Sequence, residues 1–173
     1  MELKPISSPA EEPVTLADAK LTLRVEHAED DSRIQRMIGA AREEAEQITG
    51  RRFGLQTWEL VLDAFESTIT LPAPPVTSVT SIKYDDDAGA EQTLAGAAYR
   101  VRGSEPATIS PVTSWPSTFS GPAAVRVRFQ CGITSTDPRW KSLQSWILLR
   151  VQGMYEGRSI DGGALLDALK AYQ

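Results

Sequence analysis

One stretch limits the folds open to this chain: LQTWELVLDAFESTITLPAPPVTSVTSIKY, residues 55–84. Trp58, Leu60, Leu62 and Ala64 alternate with Thr57, Glu59 and Asp63. A period of two is the pattern of a half-buried strand. Ile69 and Leu71 start a second, shorter run, which Pro72, Pro74 and Pro75 stop because proline brings no N–H to a ladder. Val79, Ile82 and Tyr84 resume the strand signal, with a bulge expected near Thr80 and Ser81 where the alternation breaks. Helical patterns lie on both sides of this block, so the chain divides into three.

Before the block, residues 1–13 hold three prolines and read as a flexible or extended arm. Thr15 caps a short helix, with Asp18 three residues on and Leu16, Ala19 and Leu23 as its apolar stripe. Arg24 near its end suits the helix dipole. Asp30 or Asp31 starts a second helix that runs to Thr49. Ile34, Met37, Ile38, Ala41, Ala45 and Ile48 form its buried face, and Gly50 its stop. Arg33, Arg36, Arg42, Glu43, Glu44 and Glu46 are expected on the wet side. Arg51 and Arg52 follow, either as ligands for a phosphate or partner carboxylate or as solvated charges.

After Tyr84, residues 85–89 (DDDAG) read as a turn, with weak strands at Gln92–Leu94 and Tyr99–Val101. Residues 103–123 are proline-rich and read as a long loop with one short strand at Thr108–Ser110. AVRVRFQC is the cleanest strand: Val125, Val127, Phe129 and Cys131 point in, Arg126, Arg128 and Gln130 out. Asp137-Pro138 then predicts a helix start, with aspartate as cap and proline first in the helix. That helix runs to about Tyr155 and is apolar almost all round. It is either the central helix of the domain or packs partly on another subunit. Residues 164–172 predict a short final helix or a tail.

The fold class is therefore α+β: a small helical bundle of two N-terminal helices and a long late helix, with an inserted antiparallel β subdomain. The expected divisions are an arm at 1–13, a domain at 14–158 (helical 14–54 and 133–158, β insertion 55–132) and a C-terminal segment at 159–173. At 173 residues the chain can bury roughly 70% of its unfolded surface without disulfide or metal. No run approaches a membrane span, and the first residues lack the basic and apolar regions of a signal peptide.

Chemistry is sparse. His27 stands alone in a polar loop, and Cys131 falls on a core face. One Cys and one His cannot make a zinc site, and no Walker A or dinucleotide-binding glycine pattern occurs. Asp85, Asp86 and Asp87 are the one candidate for a hard metal, but the distal acid of a calcium loop is missing, since position 96 is Gly96. Eighteen Lys and Arg stand against 23 Asp and Glu, a net charge of −5. That balance does not favour gripping nucleic acid.

Taken together, Leu16, Ala19, Lys20, Leu23 and Arg24, then Asp30 and Asp31, then Ala45, Thr49, Gly50 and Arg51 form a pattern. It resembles the opening of the phage head-tail connector (adaptor) proteins. Trp58–Phe65, Leu71–Tyr84, the strand VRVRFQCG and Leu148–Arg158 continue the likeness to the subgroup with a β insertion, over residues 14–158. The resemblance implies a structural virion protein at the head-tail interface of a tailed phage or gene-transfer particle, made in the host cytoplasm. It implies a homo-oligomeric ring, commonly a dodecamer, below the portal protein. The ring extends the DNA channel without reading sequence and docks a downstream neck, stopper or tail protein. It implies no catalytic residue, no cofactor and no membrane. Trp140, Trp146 and Tyr155, with Arg51 and Arg52, are the candidate partner contacts, against a plain core role for the aromatics. The Pro72–Pro75 corner and the Asp85–Gly89 turn are candidate docking points. Another neck component, a stopper or tail terminator, and a metal-dependent enzyme using the aspartate turn are the alternatives.

Overall fold

The computed structural model describes residues 1–159, 163–167 and 169–170. It resolves into two compact units, one formed by residues 1–8 and 55–132, the other by residues 9–54 and those from Ile133 onward.

The first unit is all β. Strands β1 (Glu2–Pro5), β2 (Gln56–Leu62), β4 (Val76–Asp85), β5 (Glu91–Thr93) and β8 (Val125–Cys131) form one antiparallel sheet in the order β1-β2-β8-β4-β5. Strands β3 (Ile69–Leu71), β6 (Tyr99–Arg102) and β7 (Ala107–Pro111) form a second, ordered β3-β7-β6. The cleanest alternation in the sequence thus becomes the middle strand. In β8, Val125, Val127, Phe129 and Cys131 are fully buried. They share one apolar cluster with Leu60, Leu62 and Ile82 of the same sheet and with Ile69, Leu71 and Ile109 of the smaller one. Register shifts in β4 fall at Val76/Ser78 and Val79/Ser81, the second where the sequence breaks its alternation.

Three features of this unit differ from the sequence reading. The supposed arm contains β1, which pairs antiparallel with β2, Leu3 opposite Leu60 and Pro5 opposite Trp58. Proline is tolerated there because β1 is an edge strand whose outer side needs no donor. Ala64 lies beyond the end of β2 and is exposed, not buried. The Pro72–Pro75 corner is only partly open, with Ala73 drawn into the core at 7% exposure.

The second unit is helical. α1 (Leu16–Leu23) begins with a complete capping box: Thr15 Oγ1 accepts from the Asp18 N–H at 3.1 Å, and the Thr15 N–H donates to Asp18 Oδ2 at 3.4 Å. α2 (Asp31–Thr49) ends at Gly50, whose φ of 68° closes the last turn. α3 (Trp140–Glu156) ends in the same way at Gly157. α4 (Gly163–Asp167) is a single short helix. Residues 168, 171 and 172 of the predicted last helix or tail lie outside the described residues. One cluster unites Val14, Ala19, Ile34, Ile38, Phe53, Leu143, Ile147, Val151, Leu166 and Leu169.

Here too the structure corrects details. α3 starts at Trp140, not at Pro138, because Asp137 uses its carboxylate on the turn before the helix: Oδ1 accepts from the Arg139 N–H at 2.9 Å. On α2 the buried stripe is Ile34, Ile38, Ala41, Ala45 and Thr49, so Ile48 is turned out, 46% exposed. The same rotation buries Arg42 and Glu46, both expected on the wet side.

Candidate functional site

The residue types that carry chemistry are each accounted for by structure. His27 Nδ1 lies 2.7 Å from Glu29 in an exposed loop. Cys131 is fully buried in β8. The three turn aspartates point their carboxylates at three different places. Asp85 pairs with Arg126 at 2.6 Å, and this hydrogen bond holds its carboxyl below the usual range. Asp86 accepts from the Gln92 amide at 2.8 Å and from the Ala88 and Ala90 N–H groups at 3.0 Å, which lower it too. Asp87 accepts from the Ser117 hydroxyl. They are engaged in hairpin and loop hydrogen bonds rather than converged on one point. Among the described residues no group of three His, Cys, Asp or Glu side chains is placed to hold a metal ion.

The residues expected at partner contacts do not share one face. Trp140 and Trp146 are 6% and 5% exposed within the helical cluster. Tyr155 is half-buried; its hydroxyl donates to Asp30 at 2.7 Å, which raises its pKa, and Arg33 lies over its ring at 5.0 Å. Arg51 is no solvated charge. It is buried, with Nε donating to the Leu169 carbonyl at 2.6 Å and Nη2 to that of Lys170 at 3.4 Å. Arg52 is part-buried and reaches Glu46 at 3.4 Å. Together these cations tie the residues after α2 to the helical core and to the segment around Leu169.

What the sequence reading passed over is Leu21. It lies off the Leu16–Ala19–Leu23 stripe of α1 and is 81% exposed. Two residues from Ala19 is about 200° around a helix, so an apolar residue there faces away from the core. That phase was readable from the sequence. Leu21 edges a hollow of about 390 Å³ between α1 and α3, lined also by Val14, Asp18, Lys141, Ser145 and Leu148. Leu149, 37% exposed, lies one turn beyond Ser145. The site this unit offers is a surface, not a catalytic cleft.

Comparison with known families tells what kind of protein this is. The profile described as phage gp6-like head-tail connector protein matches residues 13–108, more than half the chain. The chain belongs to that family. The family is one of structural virion components, so this connector is a structural protein and not an enzyme. No curated protein sequence matches it significantly. Among solved structures, a chain in the virion of a native gene transfer agent particle superposes with a TM-score of 0.82 at 23% identity, covering 100% of the connector and 97% of that chain. A chain from the neck of an empty gene transfer agent particle, computed with C6 symmetry, gives 0.80 at 20% identity. One from the native particle's neck, computed with C12 symmetry, gives 0.79 at 21%. Both matches cover 100% of the connector and 97% of the other chain. At these identities the likeness establishes the fold, from end to end.

Proposed function

We infer that this connector forms a closed ring, a dodecamer, in the neck of a tailed phage or gene-transfer particle. The ring lies below the portal, lengthens the DNA channel and receives the next neck or tail protein. The observation that carries this reading is the end-to-end fold match to a chain from a particle neck reconstructed with C12 symmetry, joined to the family profile. The net charge of −5 supports it, since the chain has no excess of cations to hold passing phosphates. In this reading the helical unit supplies ring contacts. Of the aromatics expected at partner contacts, Tyr155 keeps exposed surface for one. The exposed tip of the turn at 87–90 offers a docking point for the next protein. Cryo-microscopy of the neck of purified particles tests it. A ring of this chain in the layer under the portal is the expected result; a neck that lacks the chain in that layer overturns it.

A further inference from the structure

The cations of the β unit are Lys4, Lys83, Arg100, Arg102, Arg126 and Arg128. Most are neutralised by carboxylates of the same unit. Lys4 reaches Glu2 at 3.1 Å, Lys83 reaches Glu91 at 2.7 Å, Arg126 reaches Asp85 at 2.6 Å and Arg128 reaches Glu59 at 2.9 Å. Arg100 and Arg102 are the exceptions. Both are exposed, and neither side chain makes an ion pair or a hydrogen bond among the described residues. Glu105, in the turn between β6 and β7, pairs with neither.

The register of the small sheet puts these two arginines on one face. Arg100 lies opposite Ser110, and Arg102 lies opposite Thr108, which in turn lies opposite Thr70 of β3. The other face carries Ile69, Leu71, Ala107 and Ile109 into the core. The outward face of β3-β7-β6 therefore holds two guanidiniums with Thr70, Thr108 and Ser110 beside them. None of the three strands contains Asp or Glu. Two residues of strand separate the arginines by about 6.8 Å. Like charges at that spacing repel each other, and an anion lying along the strand relieves the repulsion. A row of cations flanked by hydroxyls, on a face without carboxylates, suits a row of phosphates, because Arg, Ser and Thr are common donors to a nucleic-acid backbone. The chain as a whole has no excess of cations, so the hold is confined to this face. Two phosphate contacts per copy make a weak hold, which a duplex that must slide requires.

We propose that the outward face of β3-β7-β6 bears on the phosphate backbone of duplex DNA and lines the channel through which the DNA passes. The proposal rests on the ring reading above and names the surface that meets the DNA.

The test titrates the full chain, labelled with nitrogen-15, with two short duplexes of unrelated sequence at low salt. Amide shifts are expected at Tyr99–Arg102, Thr108–Ser110 and Thr70, alike for both sequences. Two phosphate contacts predict binding about 60-fold weaker for a tenfold rise in salt. Arg100→Gln combined with Arg102→Gln should abolish the shifts. Both side chains are exposed, so the double variant should keep the wild-type melting temperature. Polyglutamate of matched charge serves as the second probe. Shifts from polyglutamate at the same or a lower concentration than the duplex mean that the face takes carboxylates, hence a protein partner, and overturn the proposal. The absence of duplex-induced shifts on this face, or shifts that survive in the double variant, overturns it as well. Images of the particle neck decide the placement. Rings with this face turned to the lumen are expected. Rings with it turned away overturn the proposal and leave the ring reading standing, whereas a neck that lacks the chain sinks the ring reading and the channel placement together.

Discussion

Arg51 shows how a single side chain can serve a role its neighbours in sequence do not announce. Two adjacent arginines after a helix suggest solvated charge, yet Arg51 is 5% exposed and spends its donors on the carbonyls of Leu169 and Lys170. Those partners are more than a hundred residues away, so no local pattern could reveal them. Arg51→Ala leaves a buried carbonyl without its donor, which costs about 2–3 kcal/mol. Urea unfolding should show that loss, and amide exchange at Leu166 and Leu169 should accelerate more than exchange within β8. Unchanged protection at Leu169 would refute the anchoring role. Arg126 acts on the β unit in a different way. Its hydrogen bond and charge hold Asp85 below the ordinary carboxylate value of 3.8, and it contributes to lowering Glu91, for which Lys83 is the first cause. A depressed carboxylate stabilises the fold above its unfolded pKa, and that contribution fades as pH falls through the folded value. Arg126→Gln should therefore move the Asp85 titration, followed by carboxyl NMR, upward toward its ordinary value. It should also flatten the acid limb of the stability profile below about pH 4. An Asp85 titration that does not move would show that the pair does not set it.

At the scale of elements, the periodic ones were legible and the edge ones were not. β2, β4 and β8 show through their alternation because one face of each is buried in the shared cluster. β1 has only Leu3 to show and two of its groups are charged; its pairing is supplied by β2, so it reads as an arm. The α2 face was legible to within one residue per turn. The buried stripe ends on Thr49 rather than Ile48, since Glu46 is held inward by Arg42 at 3.2 Å and by the Phe53 N–H at 3.0 Å. Hydrophobicity alone cannot weigh such a buried ion pair against an isoleucine. The exposed apolar patch at Leu21 was legible in principle from helical phase, whereas the hollow beside it depends on α3 and was not. The middle position of β8 gives the sharpest element-scale test. Phe129 is fully buried, opposite Trp58 in β2 and Val79 in β4. Phe129→Ala removes a ring from a strand clamped on both sides, a loss of about 3–5 kcal/mol. Guanidinium unfolding followed by amide exchange should find the loss in β2, β4 and β8. A change below 1 kcal/mol, roughly the scale of an exposed substitution, would contradict the packing described.

For the whole molecule, chain order and spatial order part company at the N-terminus. Residues 1–8 belong to the β unit, yet they are followed directly by the helical segment 9–54. At the junction, Gly54 has φ +76°, and a Cβ there would lie 2.6 Å from the Glu11 carbonyl oxygen, so the return of the chain from α2 toward β2 passes a point only glycine fits. The α+β class follows from the order of patterns along the sequence. The membership of residues 1–8 follows instead from the unpaired side of β2, which needs a partner for its ladder groups. The Ile6 N–H donates to the Thr57 carbonyl at 2.9 Å, and the Thr57 N–H donates to Ser7 Oγ at 3.0 Å, so the pairing runs past the end of β1. Deleting residues 1–8 should leave β2 as a bare edge. Hydrogen-exchange mass spectrometry should then show protection lost at Thr57 and along β2, with α2 still protected by its own cluster of Ile34, Ile38, Ala41 and Ala45. An uncovered strand edge also templates pairing with another chain, so the truncated protein should form soluble aggregates at concentrations where the full chain does not. Unchanged exchange at Thr57 would mean that β1 is not held on β2 in solution. Loss of protection in α2 to the same degree would mean that the segment supports the helical unit as well.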